Sequence, residues 1–144
     1  MIRTCFGRAF VVGAAVAASC CGYSPITSSR IEQAIGPTFA NLVQVQVAWL
    51  KMPPMQASEF QVMASCRRPL LGPDAGAGDW VCTLRWLSPD RRTLRDTFDL
   101  FVTTDGCYTA TAAGESLGGP RLKTSDGNEV RNLLRSFEGC FDTT

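Results

Sequence analysis

Seven cysteines and no histidine bound the chemistry open to this 144-residue chain. Without imidazole there is no histidine general base, no Ser-His-Asp or Cys-His nucleophile, and no metal site that needs a His ligand. The thiols stand at positions 5, 20, 21, 66, 82, 107 and 140. None forms a Cys-x-x-Cys pair, which argues against a thiol oxidoreductase, and spacings this wide argue against a four-Cys zinc site. Glycoside hydrolysis needs two carboxyl groups and no histidine, so Asp96, Asp99, Asp105 and Glu115 are the acids to consider for catalysis. Their spacing selects no pair, and acids in turns are ordinary. Ser65 and Ser116 lack the sequence context of a nucleophile elbow. Trp49, Trp80 and Trp86 could form an aromatic ligand platform, although Trp at strand spacing more often fills a core. Arg67, Arg68, Arg91, Arg92 and Arg95 could attract an anionic partner, but Asp90, Asp96 and Asp99 lie among them and a solvated hairpin is the simpler reading.

The N-terminus reads as an address. Arg3 and Arg8 precede the uncharged run from Ala9 to Ala18, which ends in small residues before Ser19-Cys20, the three-part layout of a secretory signal. A membrane-spanning helix needs about 20 apolar residues, and this run is too short. Val16-Ala17-Ala18-Ser19-Cys20 resembles the bacterial lipoprotein box, in which the thiol accepts diacylglycerol and becomes residue one of the mature chain. Ala17 occupies the place where Leu is usual, and Ala15-Val16-Ala17 also satisfies ordinary signal peptidase, so simple secretion is the alternative. Two or three acyl chains such as palmitate on Cys20 would hold the protein at the membrane with no protein segment in the bilayer, each buried methylene contributing about 0.8 kcal/mol. Removal of residues 1–19 leaves 12 basic and 13 acidic residues, a net charge of −1, which implies no pull toward nucleic acid or anionic lipid. Of the 14 basic residues 12 are Arg, a composition that hints at a high-GC genome.

Once Cys5 goes to the signal, Cys20 to the lipid and Cys21 to the adjoining tether, Cys66, Cys82, Cys107 and Cys140 remain. An even number in an exported domain points to two disulfides. Three pairings are possible; Cys66 with Cys82 and Cys107 with Cys140 is preferred because each joins a candidate strand to a flanking segment.

The elements that must carry these residues follow from periodicity. Residues 20–30 read as the lipidated cysteine and a flexible Ser/Pro tether, and 31–144 as a single extracytoplasmic domain. Ile31 to Leu50 shows helical spacing interrupted at Gly36-Pro37, so the spacing predicts a helix from Pro37 to the Pro53-Pro54 stop. The segment 58–65 fits either a helical turn or a strand. Trp80, Cys82, Leu84 and Trp86 alternate with Val81, Thr83, Arg85 and Leu87, as Phe98, Leu100 and Val102 do with Thr97, Asp99, Phe101 and Thr103, and Asp105-Gly106 predicts a tight hairpin. With those two as the loop, Thr104 opposes Cys107, and Cys107 shares the core face with Phe98, Leu100 and Val102. Asp126 is placed as the cap of a short helix carrying Val130, Leu133, Leu134 and Phe137. The predicted fold is α+β: an N-terminal helix packed on a three- to four-stranded antiparallel meander, stapled by disulfides.

Several stretches together, namely Pro37-Thr-Phe-Ala-Asn-Leu42, Ala64-Ser-Cys66, Gly78-Asp-Trp-Val-Cys-Thr-Leu-Arg-Trp86, Asp105-Gly-Cys-Tyr-Thr-Ala110 and Phe137-Glu-Gly-Cys-Phe-Asp142, resemble small exported actinobacterial lipoproteins of unknown function. The resemblance implies an envelope location and the Cys66/Cys82 pair; Cys107 and Cys140 are not constant in that pattern, so their pair would be a local addition. It implies no activity and no cofactor. The expectation is therefore a lipid-anchored, non-enzymatic envelope module at the outer face of the cell membrane, whose partners are the membrane through its anchor and an envelope protein or cell-wall component. The alternative is a small secreted cell-wall hydrolase using paired carboxylates.

Overall fold

The computed structural model describes residues 25–69 and 74–143. One helix, α1 (Ser28–Trp49), lies on a five-stranded antiparallel sheet made of β1 (Met63–Arg67), β2 (Gly78–Leu87), β3 (Thr93–Val102), β4 (Cys107–Ala112) and β7 (Ser136–Cys140), in that spatial order. A small hairpin, β5 (Arg121–Lys123) and β6 (Glu129–Arg131), is inserted between β4 and β7. This is the expected α+β, disulfide-stapled architecture, with one strand more in the sheet than the upper expectation.

The helix begins nine residues before the predicted start, because tertiary burial outweighs the proline. Thr27 is its N-cap, its side chain accepting from the Arg30 N–H, and Ile26 and Ile31 flank that cap fully buried in the arrangement of a hydrophobic staple. Ile31, Ile35, Phe39, Val43 and Val47 form one buried stripe. An interior proline costs about 3 kcal/mol. Burying Ile31 and Ile35 alone contributes about 1.5–3 kcal/mol each, so the helix runs through Pro37. The last residues assigned to the tether, Ile26 to Arg30, accordingly belong to the folded unit. A short 3-10 turn, Ala57–Phe60, precedes β1 and settles the open segment as turn then strand.

Trp80, Cys82, Leu84 and Trp86 on β2 and Phe98, Leu100 and Val102 on β3 face α1, as their alternation requires. Phe39 sits among Trp86, Phe98 and Phe137, with ring centroids 4.9, 5.6 and 5.9 Å away. The β1 edge is covered by the helix: the Cys66 N–H donates to Glu32 Oε1 at 2.7 Å.

Three turns share one construction. Ser88, Thr103 and Thr124 each donate their hydroxyl to the aspartate two residues on, Asp90, Asp105 and Asp126. Each also closes the loop with a backbone N–H to the carbonyl four residues on, at 2.9, 2.8 and 2.8 Å. The last loop residue has positive φ: Arg91 at 63°, Gly106 at 84° and Gly127 at 84°. These are three-residue loops ending in a left-handed residue, and only Arg91 adopts it against its own side chain.

Two predictions fail on this geometry. Thr103, not Thr104, opposes Cys107, and Val102 pairs with Tyr108. One residue of slip exchanges the faces, so Tyr108, Ala110 and Ala112 enter the core and Cys107 turns outward. The predicted helix capped by Asp126 is instead β6, a turn and the start of β7, because Thr124-Ser-Asp-Gly-Asn128 is a loop of the same kind that joins β5 to β6. Buried Asn132 then pins the chain leading into β7, donating to Leu117 O and Gly119 O at 2.8 and 2.9 Å, while Gln46 Oε1 accepts from Leu133 N at 2.6 Å.

The loop aspartates carry a pH dependence. The Ser88 hydroxyl holds Asp90, and the Thr103 hydroxyl holds Asp105, below the usual carboxylate range; for Asp126 the Lys51 ammonium does most and the Thr124 hydroxyl adds to it. Folded carboxyls that bind fewer protons than unfolded ones contribute stability above the unfolded value near 3.9, and lose it as pH falls through the lower folded value. Denaturant titrations between pH 6 and pH 2.5 should show stability falling below about pH 4. The fall should be shallower in Asp90→Asn/Asp105→Asn/Asp126→Asn, and an unchanged acid slope in that variant would refute the assignment.

Candidate functional site

Cys20, the proposed lipid attachment residue, lies outside the described residues, as do Cys5 and Cys21. The described chain starts at Pro25, and Ile26 is already fixed: its carbonyl accepts from Gly76 N at 2.7 Å and Thr27 bridges Ala75, just ahead of the first residue of β2. The described chain therefore begins beside the Gly78 end of the sheet.

The four remaining cysteines form both preferred bridges, Cys66–Cys82 and Cys107–Cys140. Each joins residues directly opposite one another on neighbouring strands. They lie on different faces. Cys66 and Cys82 are 7 and 0% exposed under the helix, whereas Cys107 is half-buried and Cys140 exposed on the outer face, which corrects the expected core-directed sulfur of Cys107. Two such bonds place the folded chain in an oxidising, extracytoplasmic environment. Among the described residues no helix is long and apolar enough to cross a membrane, and no group of three or more Cys, Asp or Glu is arranged to hold a metal ion.

The other candidates do not assemble as the sequence allowed. Trp80 and Trp86 are core residues and Trp49 stands half-exposed at the end of α1, so the three make no platform. Asp96 is buried on the core side of β3, where Thr97 N and the Ser116 hydroxyl donate to it at 2.7 and 2.6 Å, while Asp99 is on the outer face. Asp105 is committed to its turn, and Glu115 sits in the loop after β4. Acids on opposite faces of one sheet cannot flank one glycosidic bond. Ser116 is thereby a structural partner of Asp96, and Ser65 is an exposed residue of β1.

The arginines separate into two sets. Arg68 is internal: its guanidinium lies 4.7 Å from the Trp80 ring and donates to the carbonyls of Ala75, Gly76 and Ala77 at 2.7, 2.8 and 2.9 Å. Arg91 meets Glu59 and Arg92 meets Asp90. Arg67, Arg85 and Arg95, by contrast, project from the outer face without an ion pair among the described residues. Arg85 and Arg95 are cross-strand partners, and Met63 completes their row. Ser65, Thr83 and Thr97 form the next row, and Arg67, Val81 and Asp99 the one after. The Arg95 member was legible as charge; Arg85 was not, because only register places it opposite Arg95.

No family model, no curated protein and no solved structure matches the chain. The case for function therefore rests on these residues.

Proposed function

We propose that the chain is a lipid-anchored envelope protein, held by acyl chains on Cys20 at the outer face of the cell membrane, whose domain is a non-enzymatic binding module for an envelope protein or wall component. The observation that carries this reading is a cysteine closing an apolar signal run, followed after five residues by a disulfide-stapled domain. The outward-facing sheet, rich in hydroxyl and charged side chains, supports a binding role. The separation of Asp96 and Asp99 onto opposite faces leaves those two acids unable to act as one catalytic pair, which supports the binding reading over the hydrolase.

Fractionation of cells producing the full chain, with intact mass of the membrane-bound form, tests the anchor. The wild-type protein should sediment with membranes at the mass of residues 20–144 plus acyl chains, with four hydrogens fewer than the reduced chain. Cys20→Ala should lose the lipid mass and leave the membrane pool. A Cys20→Ala protein that is processed and retained as before would overturn the proposal, and release of unlipidated wild type into the medium would establish simple secretion in its place.

A further inference from the structure

The outer face of the sheet is electrically divided along its strands. Asp79, Asp99 and Glu138 occupy the rows toward the Gly78 end, with Arg67 in the row of Asp99, while Arg85 and Arg95 occupy the far end. Arg85 lies seven residues along β2 from Gly78, about 23 Å at the rise of an extended strand. Like charges directly opposite one another on adjacent strands are destabilising. Arg85 and Arg95 are such a pair, and no acid among the described residues relieves it; the polar contact of Arg85 is with the Met63 sulfur, from Nη2 at 2.9 Å. Arg67 approaches from the neighbouring strand, four residues along β1 from Met63 and thus about 13 Å from the Arg85 row. Between them Ser65 and Thr83 contribute hydroxyl groups, and Met63, Ser65, Arg67, Thr83, Arg85 and Arg95 line an open cavity of about 450 Å³.

We propose that this end of the sheet binds an extended phosphate-bearing polyanion, with Arg85 and Arg95 forked onto one phosphate group and Arg67 onto another further along the chain. The guanidinium fork matches phosphate oxygens in pairs, and hydroxyl donors fill the interval. The lining carries no aromatic ring on which a sugar could stack, which favours a phosphate chain over a neutral or uronic-acid glycan. The described chain begins at the opposite end of the sheet, where Ile26 O accepts from Gly76 N beside the start of β2, which favours a polymer of the envelope over the headgroups of the protein's own membrane. The inference deepens the binding-module reading and rests on it, but it needs no lipid on Cys20.

The test uses the full-length protein in neutral detergent and fluorescently labelled inorganic polyphosphate, followed by anisotropy across a salt series. Saturable binding is expected, with a log affinity against log salt slope of about −1.4 for two phosphates at about −0.7 each. Arg85→Gln/Arg95→Gln should bind at least tenfold more weakly, with the slope falling toward about −0.7, and should melt no lower than wild type because it removes a like-charge pair. Arg92→Gln, whose charge is paired with Asp90, should stay within twofold of wild type. Absence of saturable binding would overturn the proposal, as would equal weakening by Arg92→Gln. Binding to vesicles containing anionic phospholipid, without binding to polyphosphate, would also overturn it and assign the face to the membrane. Failure of the Cys20→Ala fractionation would leave each of these outcomes unchanged.

Discussion

Phe39→Ala should lower the unfolding free energy by about 3–5 kcal/mol, the largest effect of any single truncation in the core. Phe39 is fully buried where the helix meets the sheet and touches rings contributed by β2, β3 and β7, so its loss empties a contact shared by the first element and the last. A domain of this size holds about 5–15 kcal/mol in total, so the variant sits close to the unfolding threshold. The comparison that isolates the cause is Phe101→Ala. Phe101 lies on the same sheet, 55% exposed on the outer face, and its truncation should stay within about 0.5 kcal/mol of wild type. Denaturant midpoints at constant slope measure both; similar losses in the two variants would show that the helix-covered face is not the core.

The two disulfides should rank differently under mutation and under reduction. In the chain-entropy account, bridges with sequence separations of 16 and 33 contribute about 3 and just under 4 kcal/mol, slightly favouring Cys107–Cys140. Burial reverses that order for serine variants. Cys66→Ser/Cys82→Ser places two hydroxyls beneath the helix, each adding about 1–3 kcal/mol of unsatisfied polar burial. Cys107→Ser/Cys140→Ser places them at the surface, where water satisfies them. The first double variant should therefore be the less stable by at least about 1 kcal/mol, as measured by thermal or urea unfolding. Mild reductant acts by access instead: Cys140 is exposed and Cys82 is not, so Cys107–Cys140 should open first, detected as two alkylated thiols on that pair by peptide mass. Preferential opening of Cys66–Cys82 would contradict the assignment of faces.

The instructive failures share a cause. Pro37 reads locally as a helix start, yet the energy that decides the matter comes from Ile26, Ile31 and Ile35 meeting a sheet formed later in the chain. Asp105-Gly106 was recognised as a turn, but the hydroxyl of Thr103, which lengthens the loop by one residue, was not, and Cys107 was placed on the wrong face. The same hydroxyl-to-aspartate signal at Thr124 and Asp126 was mistaken for a helix cap. A Ser or Thr two residues before Asp, with Gly or Arg following, was the available clue in all three loops.

Alternation at Trp80 to Trp86 and at Phe98 to Val102, the cysteine number and the short apolar leader are local properties, and they were enough for the fold class, the buried faces of β2 and β3, and the two bridges as a preferred pairing. Register and long-range burial were not: they required knowing which backbone groups bond across strands. That is why the sheet alone assigns the bridges to opposite faces and sets Arg85 against Arg95, since a one-residue shift in pairing turns every side chain of a strand over.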